Sequence, residues 1–275
     1  MNEPDIRTMP AARGLSRGTI KYIAIFMMTL NHIGSIFLYG TGSGHDLLGL
    51  VFIGLGYFTA PAMLYFMADG IYYTGSIPRY ALRLGIFAVI SQLPYSFASS
   101  APDGFEFGNF SFMTTLLVCL LMLWAFKALD ENGKLPFVVK WLLKVVVLGA
   151  AVLLTTFCDW AQKAPIYAAE FYLARQYMGK IKLGWIFVLL THAVFMAEKV
   201  IVSHVSVGRA LLYFFCTVSG PVFAAIVICA FYKGGMQKRK NKFGKWFFYI
   251  YYPAHLAILG AICYLINEQC AMCNV

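Results

Sequence analysis

The sequence carries little charge: Asp, Glu, Lys and Arg make up 12% of its 275 residues, where a soluble domain has roughly 25%. Hydrophobic residues make up 60%, which is more apolar surface than a soluble core can hide. This composition excludes a disordered chain, a coiled coil and an ordinary soluble enzyme. We therefore expect an all-α membrane protein whose main solvent is lipid.

Acidic residues are scarce, with 12 Asp and Glu against 22 Lys and Arg. The basic residues separate apolar blocks instead of forming one basic face, so we expect no nucleic-acid partner. The seven cysteines show neither the spacing of a disulfide framework nor that of a zinc site, and a lone CxxC at Cys270 and Cys273 is weak evidence for metal. We predict buried free thiols for most of them and no metal site.

Long apolar blocks account for nearly all of the chain. We expect no cleavable signal peptide before the first block, since the first 17 residues are polar. The nine predicted spans lie near 20–39, 47–68, 78–98, 110–127, 141–157, 165–178, 181–201, 209–232 and 247–266. The sixth is the weakest, because it is short and contains Glu170 and Arg175. We predict a cytoplasmic segment 1–19, a single transmembrane domain 20–267 and a short outer tail 268–275; eight spans with a re-entrant sixth segment is the alternative.

The distribution of basic residues sets the predicted orientation. With the N-terminus in the cytoplasm, 19 of the 22 Lys and Arg residues fall on the inner side, as the positive-inside rule requires. Only Lys163, Lys199 and Arg209 remain outside. The prediction is therefore a multi-pass protein with its N-terminus inside and its C-terminus outside.

The first span holds an intramembrane histidine, His32, next to Asn31. Lys21 lies 11 residues earlier, which is three helical turns and about 16.5 Å, so Lys21 and His32 share one helix face. A reactive imidazole with a cation at the inner rim suits a long ligand with an anionic head, such as acyl-coenzyme A. The alternative is a histidine bonded to a neighbouring helix, with Lys21 as an ordinary membrane anchor.

Further basic residues at the inner rim are candidates for the same anionic head. Arg79 and Arg83 share a helix face at i and i+4, and guanidinium groups bind phosphate bidentately. Lys245 marks the inner edge of the last span. Alternatively, Arg79 and Arg83 are ordinary flanking residues, one of them paired with Asp69.

Other polar residues within the spans are support candidates. His255 follows Pro253 in the last span at a depth close to that of His32, and it is the second catalytic candidate. Gln92 and Asp159 are candidate supporting residues, together with Asp69, although buried amides more often join helices than do chemistry. We expect Glu170 and Arg175 to pair with each other, His192 to be a packing histidine, and Pro61 to bend the second span.

Several motifs in this order resemble the TraX family across almost the whole chain: TLNHIGSIF, APAMLYFMADGIYYT, PRYALRLGIFAVISQLPY, CDW and FFYIYYPAHL. TraX proteins are polytopic proteins of the bacterial inner membrane linked to acetylation of conjugative pilin, and they look related to the acyltransferase-3 superfamily. That superfamily has a basic residue, ten intervening residues and a His, which Lys21 and His32 match. One departure is Asn31, where TraX proteins usually have Asp.

The resemblance implies a membrane acyltransferase in the bacterial cytoplasmic membrane. It would move an acetyl or other acyl group from acyl-coenzyme A to an amine or hydroxyl of a protein, peptide or envelope glycan. In this hypothesis His32 is base or acyl acceptor, Asn31 and His255 assist it, and Lys21, Arg79, Arg83 and Lys245 hold the phosphates. The alternatives are a transporter or flippase with a polar path and an assembly protein without catalysis.

Overall fold

The computed structural model describes residues 14–40, 42, 44–100, 107–202, 206–232 and 242–273, without the side chains of 242–245 and 267–273. The helices are α1 (Arg17–Ile33), α2 (Asp46–Gly56), α3 (Thr59–Gly70), α4 (Ile77–Ser100), α5 (Phe112–Glu131), α6 (Phe137–Leu154), α7 (Lys163–Met178), α8 (Gly184–Val202), α9 (Val207–Ile226) and α10 (Lys242–Cys273). Short π turns extend α1 over Gly34–Leu38 and α9 over Val227–Phe231. The all-α prediction is confirmed, since the described residues form helices and two isolated bridges but no strand.

Eight segments of the described chain are long and apolar enough to cross a membrane. They are Arg17–Leu38, Asp46–Gly70, Ile77–Ser100, Phe112–Glu131, Phe137–Leu154, Ile181–Val202, Val207–Phe231 and Trp246–Ile266. The sixth predicted span is different: α7 has 16 residues and is therefore about 24 Å long, short of a hydrocarbon core of about 30 Å. By length and composition alone, eight described segments qualify as spans, while α7 is shorter and runs back through the bundle between α6 and α8.

Helix α7 lies at the centre of the bundle, where it packs against α3, α5, α6 and α8. Tyr167, Ala168, Phe171 and Tyr172 are completely buried, and Gly184 lets α8 approach Phe171 closely. Burial in protein explains how α7 tolerates a carboxylate and a guanidinium that lipid would exclude. The outer faces of the other helices expose apolar side chains such as Val89 and Ile201, as a surface covered by lipid does.

The second span breaks in its middle, between α2 and α3. The break falls at Tyr57 and Phe58, just before Pro61, which has no N–H to bond the carbonyl of Tyr57. The predicted bend is a local break in the helix, in which Tyr57 and Phe58 keep right-handed helical backbone angles. The Thr59 hydroxyl at the break donates to the Ala24 carbonyl of α1 at 2.7 Å, which fixes Tyr57 beside α1.

Because successive spans run in opposite directions and α7 runs back between α6 and α8, the bundle has two ends. The Arg17 end contains the starts of α1, α4 and α10; the Asp159 end contains the segment 155–162 between α6 and α7. Which end faces the cytoplasm remains the prediction made from the basic residues.

Candidate functional site

A cavity of about 310 Å³ opens among α1, α2, α4, α5, α10 and the segment 155–162 at the Asp159 end. Its polar and aromatic lining consists of Asn31, His32, Ser35, Tyr57, Thr59, Tyr95, Ser99, Asp159, Trp160, Lys163 and Tyr252. Apolar side chains, among them Met28, Ile36 and Leu256, complete the wall. A mostly formed pocket with a few convergent polar groups is the usual form of a ligand site.

His32 lines this cavity from the last turn of α1, where the helix passes into the π turn Gly34–Leu38. π-helical turns occur frequently at functional sites. Among the described residues, no side chain hydrogen-bonds the His32 ring, so both ring nitrogens are available to a ligand.

His255 of α10 lies beside His32, with 5.2 Å between the ring centroids. Its Nδ1 lies 2.9 Å from the Tyr251 carbonyl, and since a carbonyl only accepts, Nδ1 carries the proton. Nε2 is then an acceptor, and it is buried without a hydrogen-bond partner in the described structure. The two catalytic candidates from opposite ends of the sequence are therefore brought together.

Asn31 also lines the cavity, but its amide is used to join helices. Its Nδ2 donates to the Ile53 carbonyl of α2 at 2.9 Å. Gly56 makes this contact possible, because a Cβ at that position would collide with the Asn31 side chain. Asn31 thus holds α1 against the broken end of α2 and does not contact the His32 ring through its amide nitrogen.

The segment 155–162 brings Asp159 and Trp160 to the cavity. It is held by paired backbone bonds, since Phe110 donates to the Phe157 carbonyl at 2.7 Å and Asp159 to the Phe110 carbonyl at 2.8 Å. The Thr115 hydroxyl donates to the Asp159 carbonyl at 2.6 Å. Trp160 has a φ of 61°, a strained value for a bulky side chain, and such strain is found mainly where the surroundings and function require it.

Asp159 and Lys163 give the cavity its charge. The carboxylate of Asp159 accepts from the Trp160 N–H at 2.9 Å, yet burial raises its pKa to about 6. Burial lowers the pKa of Lys163, and repulsion from Lys199 lowers it further. The Lys163 ammonium lies over the rings of Tyr57 and Trp160, 5.9 and 5.4 Å from their centroids.

Sequence reasoning missed Lys163, Trp160 and the aromatic wall of Tyr57, Tyr95 and Tyr252. The only signal for them was the CDW stretch, which marked Asp159. Gln92, predicted as support, lies outside the cavity lining. Its amide donates to the Asn109 carbonyl at 3.0 Å and accepts from the Ser111 N–H at 3.0 Å, so it joins α4 to the start of α5.

The basic candidates gather at the Arg17 end. Lys21 lies over the Phe248 ring of α10 at 5.4 Å, and Arg83 lies over the Tyr80 ring at 5.8 Å with its Nε buried and unpartnered. Arg17, one turn before Lys21, completes this cation cluster, because it lies within electrostatic range of both Lys21 and Tyr80. Arg79 is exposed.

Lys245 belongs to α10, but its side chain lies outside the described residues. None of the ion pairs of the described chain involves Arg17, Lys21 or Arg83. Lys21, Arg79 and Arg83 do not line the cavity of His32, so the two groups of predicted site residues lie at separate levels of the bundle.

The predicted pairing of Glu170 with Arg175 is wrong. Arg175 pairs with Asp69 instead, because α7 lies against α3 and brings the guanidinium to the end of that helix. The alternative pairing of Asp69 with Arg79 or Arg83 is not among the ion pairs of the described residues. Glu170 instead accepts a hydrogen bond from the Thr191 hydroxyl of α8 at 2.5 Å.

His192 packs as predicted. It is fully buried, with Nδ1 2.8 Å from the Tyr167 hydroxyl and Nε2 3.2 Å from the Thr217 carbonyl. A carbonyl only accepts, so Nε2 carries the proton and Nδ1 accepts from Tyr167. Both nitrogens are occupied, in contrast to those of His32.

A buried ion pair at the Arg17 end escaped sequence reasoning. Lys144 of α6 lies 2.5 Å from Asp130 of α5, and the hydroxyls of Tyr172 and Tyr177 donate to the same carboxylate at 2.7 and 2.9 Å. This network fastens the peripheral helix α6 to α5 and α7. Its polar groups are mutually satisfied, so it is a structural element.

Metal-ligand clusters of three or more His, Cys, Asp or Glu residues are absent from the described part of the chain. Cys119, Cys158, Cys216 and Cys229 form no disulfide among the described residues, and Cys119, Cys158 and Cys263 are buried. The side chains of Cys270 and Cys273, the predicted CxxC, lie outside the described residues.

Comparison with known proteins gives two matches. A family model described as "TraX protein" matches residues 16–263. A curated relative from Dichelobacter nodosus, named "Probable fimbrial assembly protein FimC, serogroup H1", is 27% identical over 255 residues, covering 87% of this chain and 92% of the relative. No solved structure matches the chain.

Proposed function

The chain belongs to the TraX family, and from this premise we propose that it is an integral membrane acyltransferase. In this proposal it moves an acetyl or other acyl group from acyl-coenzyme A to an amine or hydroxyl of a protein, peptide or envelope glycan. The observation that supports it best is His32: an imidazole that lines a cavity, has no protein hydrogen-bond partner among the described residues, and lies 5.2 Å from the ring of His255. Intramembrane ionisable groups are costly and usually functional.

The cation cluster at the Arg17 end fits the phosphates of acyl-coenzyme A. The buried, unpartnered Nε of Arg83 is a donor that needs an acceptor, because burying such a group without a partner costs free energy. Arg17 and Lys21 add two positive charges without an ion-pair partner in the described chain. Phosphate oxygens satisfy guanidinium donors and neutralise such a cluster.

The acyl group has to travel from this cluster to His32, about 16.5 Å along α1. Lys21 and His32 both face α10, where they contact Phe248 and His255. Between them, the hydroxyls of Thr29 and Tyr251 are hydrogen-bonded at 2.7 Å. This pair joins α1 to α10, so the proposed reaction requires it to separate when the acyl arm enters.

The residues around the cavity can perform the transfer by general base catalysis. Neutral His32 takes the proton of the acceptor N–H or O–H as the acceptor nitrogen or oxygen bonds the thioester carbonyl carbon. The carbon–sulfur bond then breaks, and His32 returns the proton to the leaving thiolate. In this proposal the unpartnered Nε2 of His255, whose ring centroid lies 5.2 Å from that of His32, accepts the N–H of the His32 ring and so fixes its tautomer. A general base of this kind contributes about 10²–10⁴-fold.

The spacing of Lys21 and His32 supports a relationship to the acyltransferase-3 superfamily, which is part of the proposal. The proposal also includes a location in the bacterial cytoplasmic membrane, with the Arg17 end on the inner side, where acyl-coenzyme A is available. A second candidate is a non-catalytic assembly protein, favoured by the name of the Dichelobacter relative, a probable fimbrial assembly protein.

Purified protein incubated with acetyl-coenzyme A and a membrane extract of the parent cell tests the proposal. The enzyme is expected to release free thiol in step with acetyl transfer to an extract component. If thiol release equals that of empty membranes, the assembly role is favoured and the enzyme proposal fails. Accumulation of intact substrate in sealed vesicles would instead indicate a transporter.

A further inference from the structure

The position of Lys163 is electrostatically unfavourable for a cation. It is the first residue of α7, where the positive end of the helix dipole repels a cation, and the first turn of α7 has no acidic residue. Its half-buried side chain lines the cavity, and its ammonium lies over the rings of Tyr57 and Trp160. Each of these features disfavours a lysine, so a compensating interaction is needed.

The described residues do not provide enough negative charge to compensate the Lys163 ammonium. Its ion pairs are Lys127–Glu131, Lys144–Asp130 and Arg175–Asp69, so Lys163 has no carboxylate within 4.0 Å in the part of the chain described. Asp159 is a charged neighbour, but its Oδ1 accepts from the Trp160 N–H. Lys199 adds a second positive charge nearby. The local balance is one carboxylate against two ammonium groups.

We propose that Lys163 binds an anionic group, a phosphate or a carboxylate, on the acceptor molecule. The inference rests on the proposed function, because it assigns the cavity to the acceptor and leaves the cation cluster at the Arg17 end to the donor. His32 and Lys163 line the same cavity of about 310 Å³, so one small acceptor group reaches both. The anion at Lys163 orients the acceptor, and its amine or hydroxyl then faces His32.

The fluorescence of Trp160 is a local probe of anions at Lys163. Trp160 lies 5.4 Å from the Lys163 ammonium and is one of five tryptophans, so its emission is obtained as the difference between the parent protein and the Trp160→Phe variant. Iodide is an anionic quencher and acrylamide a neutral one. An attraction of about 1 kcal/mol between the Lys163 ammonium and iodide raises the iodide concentration beside Trp160 about fivefold.

The experiment measures quenching of Trp160 in the full-length protein in lipid nanodiscs. In Lys163→Met, iodide quenching of Trp160 is expected to fall about fivefold while acrylamide quenching stays the same. Lys127→Met is the matched control, since Lys127 also lies over a tyrosine ring, at 5.9 Å, but at the Arg17 end. Inorganic phosphate or acetate is expected to compete with iodide in the parent protein, and the more effective competitor identifies the anionic group.

Equal iodide quenching in the parent and in Lys163→Met overturns the proposal, as does a lack of competition by both phosphate and acetate. Methionine keeps the apolar contacts of the lysine stem, and unchanged acrylamide quenching shows that the cavity is intact. The measurement needs no acyl transfer. Failure of the acyltransferase proposal and failure of the anion site are therefore seen separately.

Discussion

At the scale of single residues, His32 differs from the other described membrane histidines in the use of its ring nitrogens. His192 has both nitrogens occupied by protein groups, and His255 uses Nδ1 for the Tyr251 carbonyl. Only the His32 ring lacks a protein hydrogen bond among these three. The same amino acid at a similar depth therefore has a packing role in one case and a proposed catalytic role in another.

We predict that Asn31→Asp lowers the stability of the protein. A carboxylate cannot donate to the Ile53 carbonyl, so the 2.9 Å bond of the Asn31 amide is lost and two acceptors face each other. We expect a loss of about 1–3 kcal/mol of stability, measured as a lower unfolding temperature in detergent. Asn109→Asp, a similar change outside the cavity lining, is the control, and an unaltered unfolding temperature for Asn31→Asp would contradict this role.

Arg83 and Arg79 are predicted to differ, although they share a helix face. Arg83→Gln removes the buried donor and should weaken acetyl-coenzyme A binding by about 10–100-fold, the value of a charge-assisted hydrogen bond. Arg79→Gln changes an exposed side chain and should weaken it far less. Isothermal titration calorimetry of both variants checks the difference; equal affinities would remove Arg83 from the donor site.

At the scale of elements, the segment 155–162 determines the chemistry of the cavity. It is short and polar, and it joins α6 to the central helix α7. Its backbone is fixed by Phe110 and Thr115, and this fixation imposes the strained φ of Trp160. A segment held in this way presents Asp159 and Lys163 to the cavity without the freedom of an ordinary loop.

The raised pKa of Asp159 predicts a pH-dependent stability. With a pKa of about 6 when folded and about 3.9 when unfolded, this group favours folding fully below pH 4, and the contribution is lost as the pH rises through 6. The change is at most about 3 kcal/mol. Asp159→Asn should match the parent protein at pH 4 and be more stable at pH 7.

Unfolding temperatures of the two proteins between pH 4 and 8 check this, since other carboxylates titrate equally in both. Parallel curves for the parent protein and Asp159→Asn would show that the carboxylate is not buried in the way the structure describes.

At the scale of the whole molecule, the apolar segments were predictable because lipid demands a recognisable run of hydrophobic residues. Helix α7 has a weaker apolar pattern than the other predicted spans because it is buried in protein, where Glu170 and Arg175 are tolerated. The pairing of Asp69 with Arg175 and the approach of Asp159 to His32 were not predictable, since both depend on which helices are neighbours. The approach of His32 to His255 was predicted, from their similar depth and from the proposed assistance of His32 by His255.

The orientation of the bundle is a prediction that labelling can test. Lys134→Cys lies at the Arg17 end and Gly208→Cys at the Asp159 end, both exposed, in a background without the native cysteines. A membrane-impermeant maleimide on intact cells should label position 208 and should label position 134 only after permeabilisation. The opposite pattern would place the proposed donor site on the wrong side of the membrane.

The central claim is that His32 performs the transfer, and a labelled-acetyl assay tests it most directly. Purified parent protein, His32→Gln and the loop control His45→Gln receive [¹⁴C]acetyl-coenzyme A and the acceptor extract, after equal unfolding temperatures have shown that all three are folded. We expect His45→Gln to retain full transfer and His32→Gln to lose about 10²–10⁴-fold. Transfer by His32→Gln at the parental rate would contradict the account.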